Sequence, residues 1–299
     1  MTGINLGLLS TLLIIQTPIL FAALSANVAS RSGYFNVGIE GLMTISAFFA
    51  VVFSHFFQNA ILAFILTMVL GLVQGLILYF IDNKLKVNSI LAGIAYNLIA
   101  MGLTSILLNL LGDRGISTSL QTIPFARHSV SIMGKEIYYN ISSILGILSI
   151  FIIYIFNEKT VLGIRIFSVG KSVEFSKISG LNINKYRLIS LLISSVLASM
   201  AGASLTLGYL PWFSRDMVAG RGFIGLAIDV MSSGSALLSG FFSVVLSFMF
   251  TLSNHQSLFN LKPELLELIP YMSVFIIIIL RIQLVRIKKR KYEKNKGII

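Results

Sequence analysis

Residues 157–187, NEKTVLGIRIFSVGKSVEFSKISGLNINKYR, form the only long polar segment between two strongly apolar ones. The segment holds six Lys and Arg residues against two Glu residues, so it cannot lie in lipid. Apolar residues alternate with the charged ones, as in short amphipathic helical turns. The segment therefore predicts a cytoplasmic docking surface that packs against the membrane face or against a partner.

On either side of this segment the chain is too apolar for a soluble protein. Of its 299 residues, 56% are hydrophobic and only 11% are charged, whereas soluble domains carry roughly 25% charged residues. We therefore expect one all-α membrane domain over residues 1–282. It would be a polytopic transmembrane bundle of about 8–10 helices, followed by a basic cytoplasmic tail at 283–299.

The net charge of +12 lies mainly in three short stretches. Of the 23 Lys and Arg residues, 16 fall in residues 82–86, 157–187 and 281–299. Clustering at alternate loops is the positive-inside pattern of membrane proteins rather than the footprint of a nucleic-acid-binding protein. We therefore expect a lipid bilayer as partner and no nucleic acid.

The sequence contains no pattern typical of an enzyme. It has no cysteine, and its three histidines lack the spacing of metal ligands, so neither thiol chemistry nor a metal site is expected. Nucleophile elbows, Walker loops, HExxH motifs and paired catalytic carboxylates are likewise absent from the sequence. We expect no catalytic residue, and transport rather than catalysis.

Apolar segments predict nine membrane crossings with the N-terminus outside. The first is interpreted as a retained helix rather than a signal peptide, and the SSGS sequence at 232–235 divides the seventh from the eighth. This topology places the three basic stretches on the cytoplasmic side and residues 112–140 in an external loop. The segments are 4–29, 32–53, 60–81, 87–111, 141–156, 188–210, 223–231, 236–252 and 267–282.

Four polar residues inside apolar segments are candidates for the solute path: Asn36, Glu40, Asn97 and Asp229. A carboxylate in a spanning segment costs at least ~2.5 kcal/mol, so it normally faces a cavity or a partner. As alternatives, Glu40 would cap a broken helix or pair with Arg31 or a later Lys, and Asp229 would pair with Arg221. Asparagines at membrane depth more often form hydrogen bonds between helices than contact a ligand.

Within residues 157–187, Glu174 and Gly180 are six apart in EFSKISG. This spacing resembles the EAA coupling motif of bacterial ABC-importer permeases. Further stretches are similar to permeases of the ribose, branched-chain amino acid and nucleoside group, above all to nucleoside permeases that work with a basic membrane lipoprotein family binding protein. They are YFNVGIEGLMTISAFFA at 34–50, ILAGIAYNLIAMGLTSILL at 90–108, MVAGRGFIGLA at 217–227 and ELIPYMSVFIIII at 267–279.

The resemblance implies a multi-pass permease subunit of the bacterial plasma membrane that imports nucleosides by alternating access. A separate ABC ATPase, which would hold ATP and Mg, would dock on Lys171, Glu174, Gly180 and Leu181, and this chain would bind no cofactor itself. A second, non-identical permease subunit would complete the path. A lipid-anchored solute-binding protein would deliver solute to residues 112–140 and 211–221.

Three alternatives remain open at this point. Permeases for ribose or galactose share much of the pattern, and the sequence IDVMSSGSAL after FIGLA departs from the turn usual in nucleoside permeases. An ion-coupled secondary transporter would use Glu40 and Asp229 as coupling carboxylates, but it leaves the EAA-like segment unexplained. A channel or an assembly scaffold is the third alternative.

Overall fold

The structure is a computed structural model that describes residues 4–111, 120–121, 127–132, 135–254, 265, 268–279, 281 and 283. Among these residues, seven helices are long and apolar enough to cross a membrane, namely α1 to α5, α8 and α10. The predicted all-α polytopic bundle is confirmed. The helices are α1 Ile4–Arg31, α2 Ile39–Phe57, α3 Ala60–Leu85, α4 Ser89–Leu110, α5 Ile141–Lys159, α6 Val161–Lys171, α7 Val173–Ile178, α8 Ile183–Ser204, α9 Arg221–Ser232, α10 Ala236–Asn254 and α11 Leu268–Ile279.

Helix α8 lies at the centre of the bundle and packs against α1, α2 and α3. Its small residues let the neighbouring backbones approach closely. A Cβ atom added at Gly71 of α3 would lie 2.8 Å from Cβ of Ser199, and one at Gly75 would lie 2.7 Å from Oγ of Ser195. Because lipid supplies no hydrophobic drive for helix association, this close packing is what holds the helices together.

Helix α9 is too short to cross a membrane alone, because its 12 residues span only about 18 Å of a hydrocarbon layer that is about 30 Å thick. A π-helical turn, Leu205–Tyr209, and non-helical residues precede it. It runs beside the C-terminal part of α1, with Gly225 packed on Ala22 and Gly234 next to Arg31. The count of nine crossings stays a prediction. The seventh crossing corresponds to α9, which could span the membrane only together with the preceding residues 210–220.

The polar segment 157–187 is helical over most of its length. Helix α5 continues to Lys159, α6 and α7 follow, and α8 begins at Ile183. Helices α6, α7 and α8 are each preceded by a residue whose side chain accepts a backbone N–H of the first turn. Thr, Ser and Asn are residue types that favour this position. The caps are Thr160, Ser172 and Asn182, bonded to Gly163, Phe175 and Lys185 at 3.1, 3.2 and 3.1 Å. The predicted amphipathic turns are therefore complete helices.

The predicted external loop 112–140 contains strands, which the sequence pattern did not indicate. Strands β2, Arg127–Ile132, and β3, Lys135–Asn140, pair antiparallel. Strand β1, Leu120–Gln121, pairs with β4, Trp212–Phe213, from the segment that precedes α9. The backbone thus joins the two stretches, 112–140 and 211–221, that were predicted to receive solute.

Candidate functional site

The candidate site is the junction at which α2 and α9 begin, and Glu40 lies at its centre. The carboxylate accepts two backbone hydrogen bonds, from Gly220 N to Oε1 at 2.8 Å and from Gly222 N to Oε2 at 2.7 Å. Amides at the start of a helix have no partner within it and carry its positive dipole end, so a carboxylate is well placed there. Glu40 therefore caps a broken helix, as one alternative predicted, although that helix is α9. The other alternative was a pair with Arg31 or a later Lys. Arg31 pairs instead with Glu158 at 2.7 Å, and Glu40 forms no ion pair with any described residue.

Glycine at this junction is required by space and by backbone conformation. A Cβ atom at Gly222 would lie 2.7 Å from Glu40 N and 2.8 Å from its Cα atom. Gly220 has open space around its Cα atom but a φ angle of +77°, which L-residues rarely adopt. The RG pair of the predicted signature thus lets the start of α9 lie directly on the first turn of α2.

Asn97 of α4 joins the two sides of the first turn of α2. Its amide oxygen accepts the Gly41 N–H at 2.7 Å, and its amide nitrogen donates to the Val37 carbonyl at 3.0 Å. Gly93, one turn earlier on α4, lies so close that a Cβ atom there would be 2.6 Å from Gly38 N. Both polar ends of the buried Asn97 side chain are therefore satisfied by backbone.

Asn36 does the same for the segment that enters α2. Its amide oxygen accepts the Gly38 N–H at 3.1 Å, and its amide nitrogen donates to Oγ of Ser194 on α8 at 3.1 Å. Three of the four predicted path residues, Asn36, Glu40 and Asn97, therefore meet at one place. Within this chain their polar atoms shape the interrupted beginning of α2.

Asp229 lies away from the other three, near the C-terminal end of α9. Its Oδ1 accepts a hydrogen bond from Nδ2 of Asn27 at 3.1 Å, and Oδ1 of Asn27 accepts one from Asn157 at 2.9 Å. The predicted pair with Arg221 is wrong. Eight residues of helix separate the two by about 12 Å along the axis, and the Arg221 guanidinium donates to the Met217 carbonyl at 2.8 Å instead.

A cavity of about 300 Å³ opens beside Asp229, between the ends of α1, α6 and α9. It brings Asp229 together with Lys171, which was predicted for coupling rather than for the path. One path candidate, Asp229, and one coupling candidate, Lys171, therefore share this cavity at the C-terminal end of α9, whereas Glu40 lies at its N-terminal end. The cavity is lined by Ser30, Arg31, Phe167, Gly170, Lys171, Asp229, Val230, Ser233 and Gly234.

The other predicted coupling residues surround the short helix α7. Glu174 lies exposed in its first turn. Gly180 has a φ angle of +73°, and its N–H donates to the Lys177 carbonyl at 3.0 Å while the Leu181 N–H donates to the Ser176 carbonyl at 2.9 Å. These two bonds define a Schellman turn, which needs the left-handed conformation that glycine adopts most readily. The predicted chain reversal at Gly180 is confirmed.

Sequence reasoning missed the polar contacts around the end of α1. Asn27 and Asn157 bond to each other, and Arg31 forms with Glu158 the only ion pair found among the residues that the structure describes. Asn27 carries the same signal that identified Asn36 and Asn97, a polar side chain in an apolar segment. Asn157 was hidden because the predicted end of the fifth helix fell one residue before it.

A family model described as the branched-chain amino acid transport system permease component matches residues 8–280. The chain belongs to this permease family. Family membership makes the chain a transport subunit rather than an enzyme, and with seven apolar helices among the described residues it makes it a multi-pass membrane protein. It also removes the ion-coupled transporter and the scaffold from consideration.

Curated relatives of this permease cover most of the chain. It is 29% identical to the guanosine ABC transporter permease protein NupQ of Bacillus subtilis over 77% of this chain and 78% of that protein. It is 28% identical to the nucleoside ABC transporter permease protein NupC of Lactococcus lactis over 91% and 90%. It is 26% identical to the putative glucose ABC transporter permease protein TsgC13 of Haloferax volcanii over 76% and 70%. No solved structure matches the permease.

Proposed function

We propose that this permease imports nucleosides across the bacterial plasma membrane by alternating access driven by a separate ABC ATPase. The observation that carries the proposal is the similarity, along most of the chain, to permeases named for guanosine and for nucleosides. The signature stretches at 34–50 and 217–227 support it further, because they form the two sides of the Glu40 junction.

The ATPase docks on α7 and its flanks, at Lys171, Glu174, Gly180 and Leu181. On this short helix the side chains of Phe175 and Ile178 are 64% and 86% exposed, although the surrounding charges keep the segment out of lipid. Exposed apolar side chains ringed by charged ones are typical of a protein interface. Glu174 makes no ion pair with any other described residue, so it is available to a basic residue of the ATPase.

The remaining components follow from the same proposal. A second, non-identical permease subunit completes the path, and ATP and Mg bind on the ATPase rather than on this chain. A lipid-anchored solute-binding protein docks outside on residues 112–140 and 211–221. The pairing of β1 with β4 supports this docking site, since it makes one surface from the two stretches.

Among the four path candidates we propose different roles. Asp229 contacts solute, because its carboxylate lines a cavity that is large enough for a small molecule. Asn36, Glu40 and Asn97 hold the interrupted helices that border the path. Their polar atoms already bond to this chain at 2.7 to 3.1 Å.

A sugar is the second candidate substrate, and the relative named as a putative glucose permease favours it. The decisive experiment reconstitutes this chain with its candidate ATPase, partner permease and binding protein in liposomes. Uptake of labelled guanosine is measured with ATP supplied on the side of the membrane that carries the ATPase. Unlabelled adenosine, ribose, galactose and glucose are each added as competitors. Competition by adenosine alone supports a nucleoside permease, and competition by the sugars overturns that substrate class.

The coupling role of α7 is tested in the same liposomes. Glu174→Lys reverses the free charge, and Gly180→Pro removes both the positive φ angle and the N–H that the Schellman turn uses. Lys84→Glu is the matched control, because it reverses an exposed charge on the cytoplasmic end of α3. We expect ATP-dependent uptake to be lost in both α7 variants and kept in the control. Normal uptake by both α7 variants contradicts docking at α7.

A further inference from the structure

Arg31, the last residue of α1, contacts three other segments of the chain. One guanidinium nitrogen donates to Oε1 of Glu158 at 2.7 Å and to the Gly234 carbonyl at 3.2 Å, and the other donates to the Asn157 carbonyl at 3.3 Å. The guanidinium carbon lies 4.7 Å from the centre of the Phe167 ring. The side chain is only 9% exposed. Arg31 therefore joins α1 to α5, to α6 and to the turn after α9.

The end of α1 does not need this arginine as a cap. The carbonyl of Ala29 already accepts from the Ser32 N–H at 3.0 Å and from Ser32 Oγ at 2.8 Å, and the carbonyl of Ser30 accepts from the Gly33 N–H at 2.9 Å. The two terminal guanidinium nitrogens of Arg31 donate only to other segments, and its buried Nε has no partner among the described residues. An ordinary helix cap thus does not account for its contacts.

On one side of Arg31 lies α6, which leads directly into α7. A Cβ atom at Gly170 would be 2.7 Å from Gly33 N, so the end of α6 lies on the turn after α1 with no side chain between the two backbones. Only Ser172 separates α6 from α7. A displacement of α7 by a docked protein therefore reaches Arg31 through rigid backbone contacts rather than through flexible side chains.

On the other side of Arg31 lies the C-terminal end of α9. The last carbonyls of a helix lack partners within it, and cations stabilise that end. Arg281, beyond α11, donates to the carbonyl of Val230 in the last turn of α9 at 3.1 Å and to Ser233 Oγ, and Arg31 donates to the carbonyl of Gly234 in the turn that follows. The N-terminal end of α9 is fixed to Glu40. A movement of Arg31 therefore shifts the one short helix that connects the cavity with the Glu40 junction.

We propose that Arg31 is a positioning residue that transmits the movement of α6 and α7 to α9, with Glu158 holding its guanidinium. This inference rests on the proposed function, because it requires an ATPase docked on α7. Arg31 lines the same cavity as Asp229, but its hydrogen bonds all go to other segments of this chain, so in this account it acts through the segments that it joins. Its loss therefore separates ATP hydrolysis from uptake without removing either binding partner.

The test compares Arg31→Gln, Arg31→Lys and Glu158→Gln with wild type in the complete reconstituted transporter. Lys84→Ala is the matched control, since Lys84 also lies over an aromatic ring, Phe80 of its own helix, at 5.9 Å, but joins no two segments among the described residues. Three quantities are measured: the ATPase that copurifies, the rate of ATP hydrolysis, and labelled guanosine taken up per ATP hydrolysed. The last quantity reports coupling, which a purely structural role does not alter in a complex that assembles and hydrolyses ATP normally.

We expect Arg31→Gln to retain the ATPase and its basal hydrolysis but to lower uptake per ATP by about tenfold, the size of a typical coupling effect. Arg31→Lys is expected to lose less uptake per ATP than Arg31→Gln, because lysine keeps the positive charge but lacks the several donors of the planar guanidinium group. Glu158→Gln has a smaller effect of about twofold, since the Glu158 side chain is 47% exposed.

Uptake per ATP that stays at the wild-type value in Arg31→Gln overturns the inference. If that variant fails to assemble, Glu158→Gln decides, and an unchanged ratio there also overturns it. Absence of ATP-dependent uptake in the wild type is a different result, because it refutes the proposed function itself and this inference with it.

Discussion

Glu40 and Asp229 are both buried carboxylates in apolar segments, and their surroundings differ. Glu40 is 9% exposed and accepts two backbone N–H groups in a junction where Gly222 leaves no free space. Asp229 is 5% exposed, accepts one side-chain amide and lines a cavity of about 300 Å³. Burial alone therefore does not distinguish a structural carboxylate from one that is available to a ligand. The backbone donors and the neighbouring space do.

The strongest test of this difference replaces each carboxylate by alanine. In Glu40→Ala the buried Gly222 N–H and the partly buried Gly220 N–H lose their acceptor at about 1–3 kcal/mol each, so we expect the free energy of unfolding to fall by about 3 kcal/mol or more. Asp229→Ala leaves one amide donor beside a cavity and is expected to cost about 1 kcal/mol. Heat unfolding in detergent, followed by the fluorescence of Trp212, measures both. Equal losses would remove the distinction between the two sites.

A smaller effect is expected from the glycines that Glu40 caps. Gly222→Ala forces a Cβ atom against the Glu40 backbone, and overpacking of this kind costs about 1–3 kcal/mol. Gly220→Ala is the matched control, because the site is open and only the positive φ angle is strained, at about 1 kcal/mol. Unfolding midpoints of the two variants are compared. If Gly220→Ala lowered the unfolding midpoint more than Gly222→Ala, Gly222 would pack less closely on the Glu40 backbone than the structure indicates.

The smallest effect on stability, below about 1 kcal/mol, is expected for Asp229→Asn. The amide oxygen of the new side chain still accepts the hydrogen bond from Asn27, while the negative charge in the cavity is lost. If Asp229 contacts solute, guanosine uptake falls although the protein unfolds at nearly the wild-type temperature. Unchanged uptake together with unchanged stability would mean that Asp229 does not contact solute and only takes part in the hydrogen bonds with Asn27 and Asn157.

Much of the fold was predictable from the sequence because its signals are local. Long apolar segments separated by charged ones predict the spanning helices, and Thr160, Ser172 and Asn182 are residue types that begin helices. The resemblance to the EAA motif, which Glu174 and Gly180 carry, implied the short helix α7 and its turn, and a positive φ angle at that turn favours glycine.

The candidate site was less predictable because it depends on contacts between distant segments. Glu40 and Gly222 are brought together only when α2 and α9 both begin inside the bundle. Spacing along α9 suggested a partner for Asp229 in Arg221, but two residues eight apart lie about two turns apart and do not reach each other. The actual partner, Asn27, comes from α1, and no periodicity in either segment indicates it.

Helix α9 also has an electrical property that follows from its composition. Its one arginine and one aspartate cancel, and its dipole meets Glu40 at one end and arginines at the other. Moving one elementary charge across the membrane takes about 2.3 kcal/mol per 100 mV, but a helix without net charge moves almost none. The membrane voltage therefore does almost no net work on α9 if the helix shifts as a rigid body, so the proposed movement of α9 would depend on the ATPase rather than on the potential.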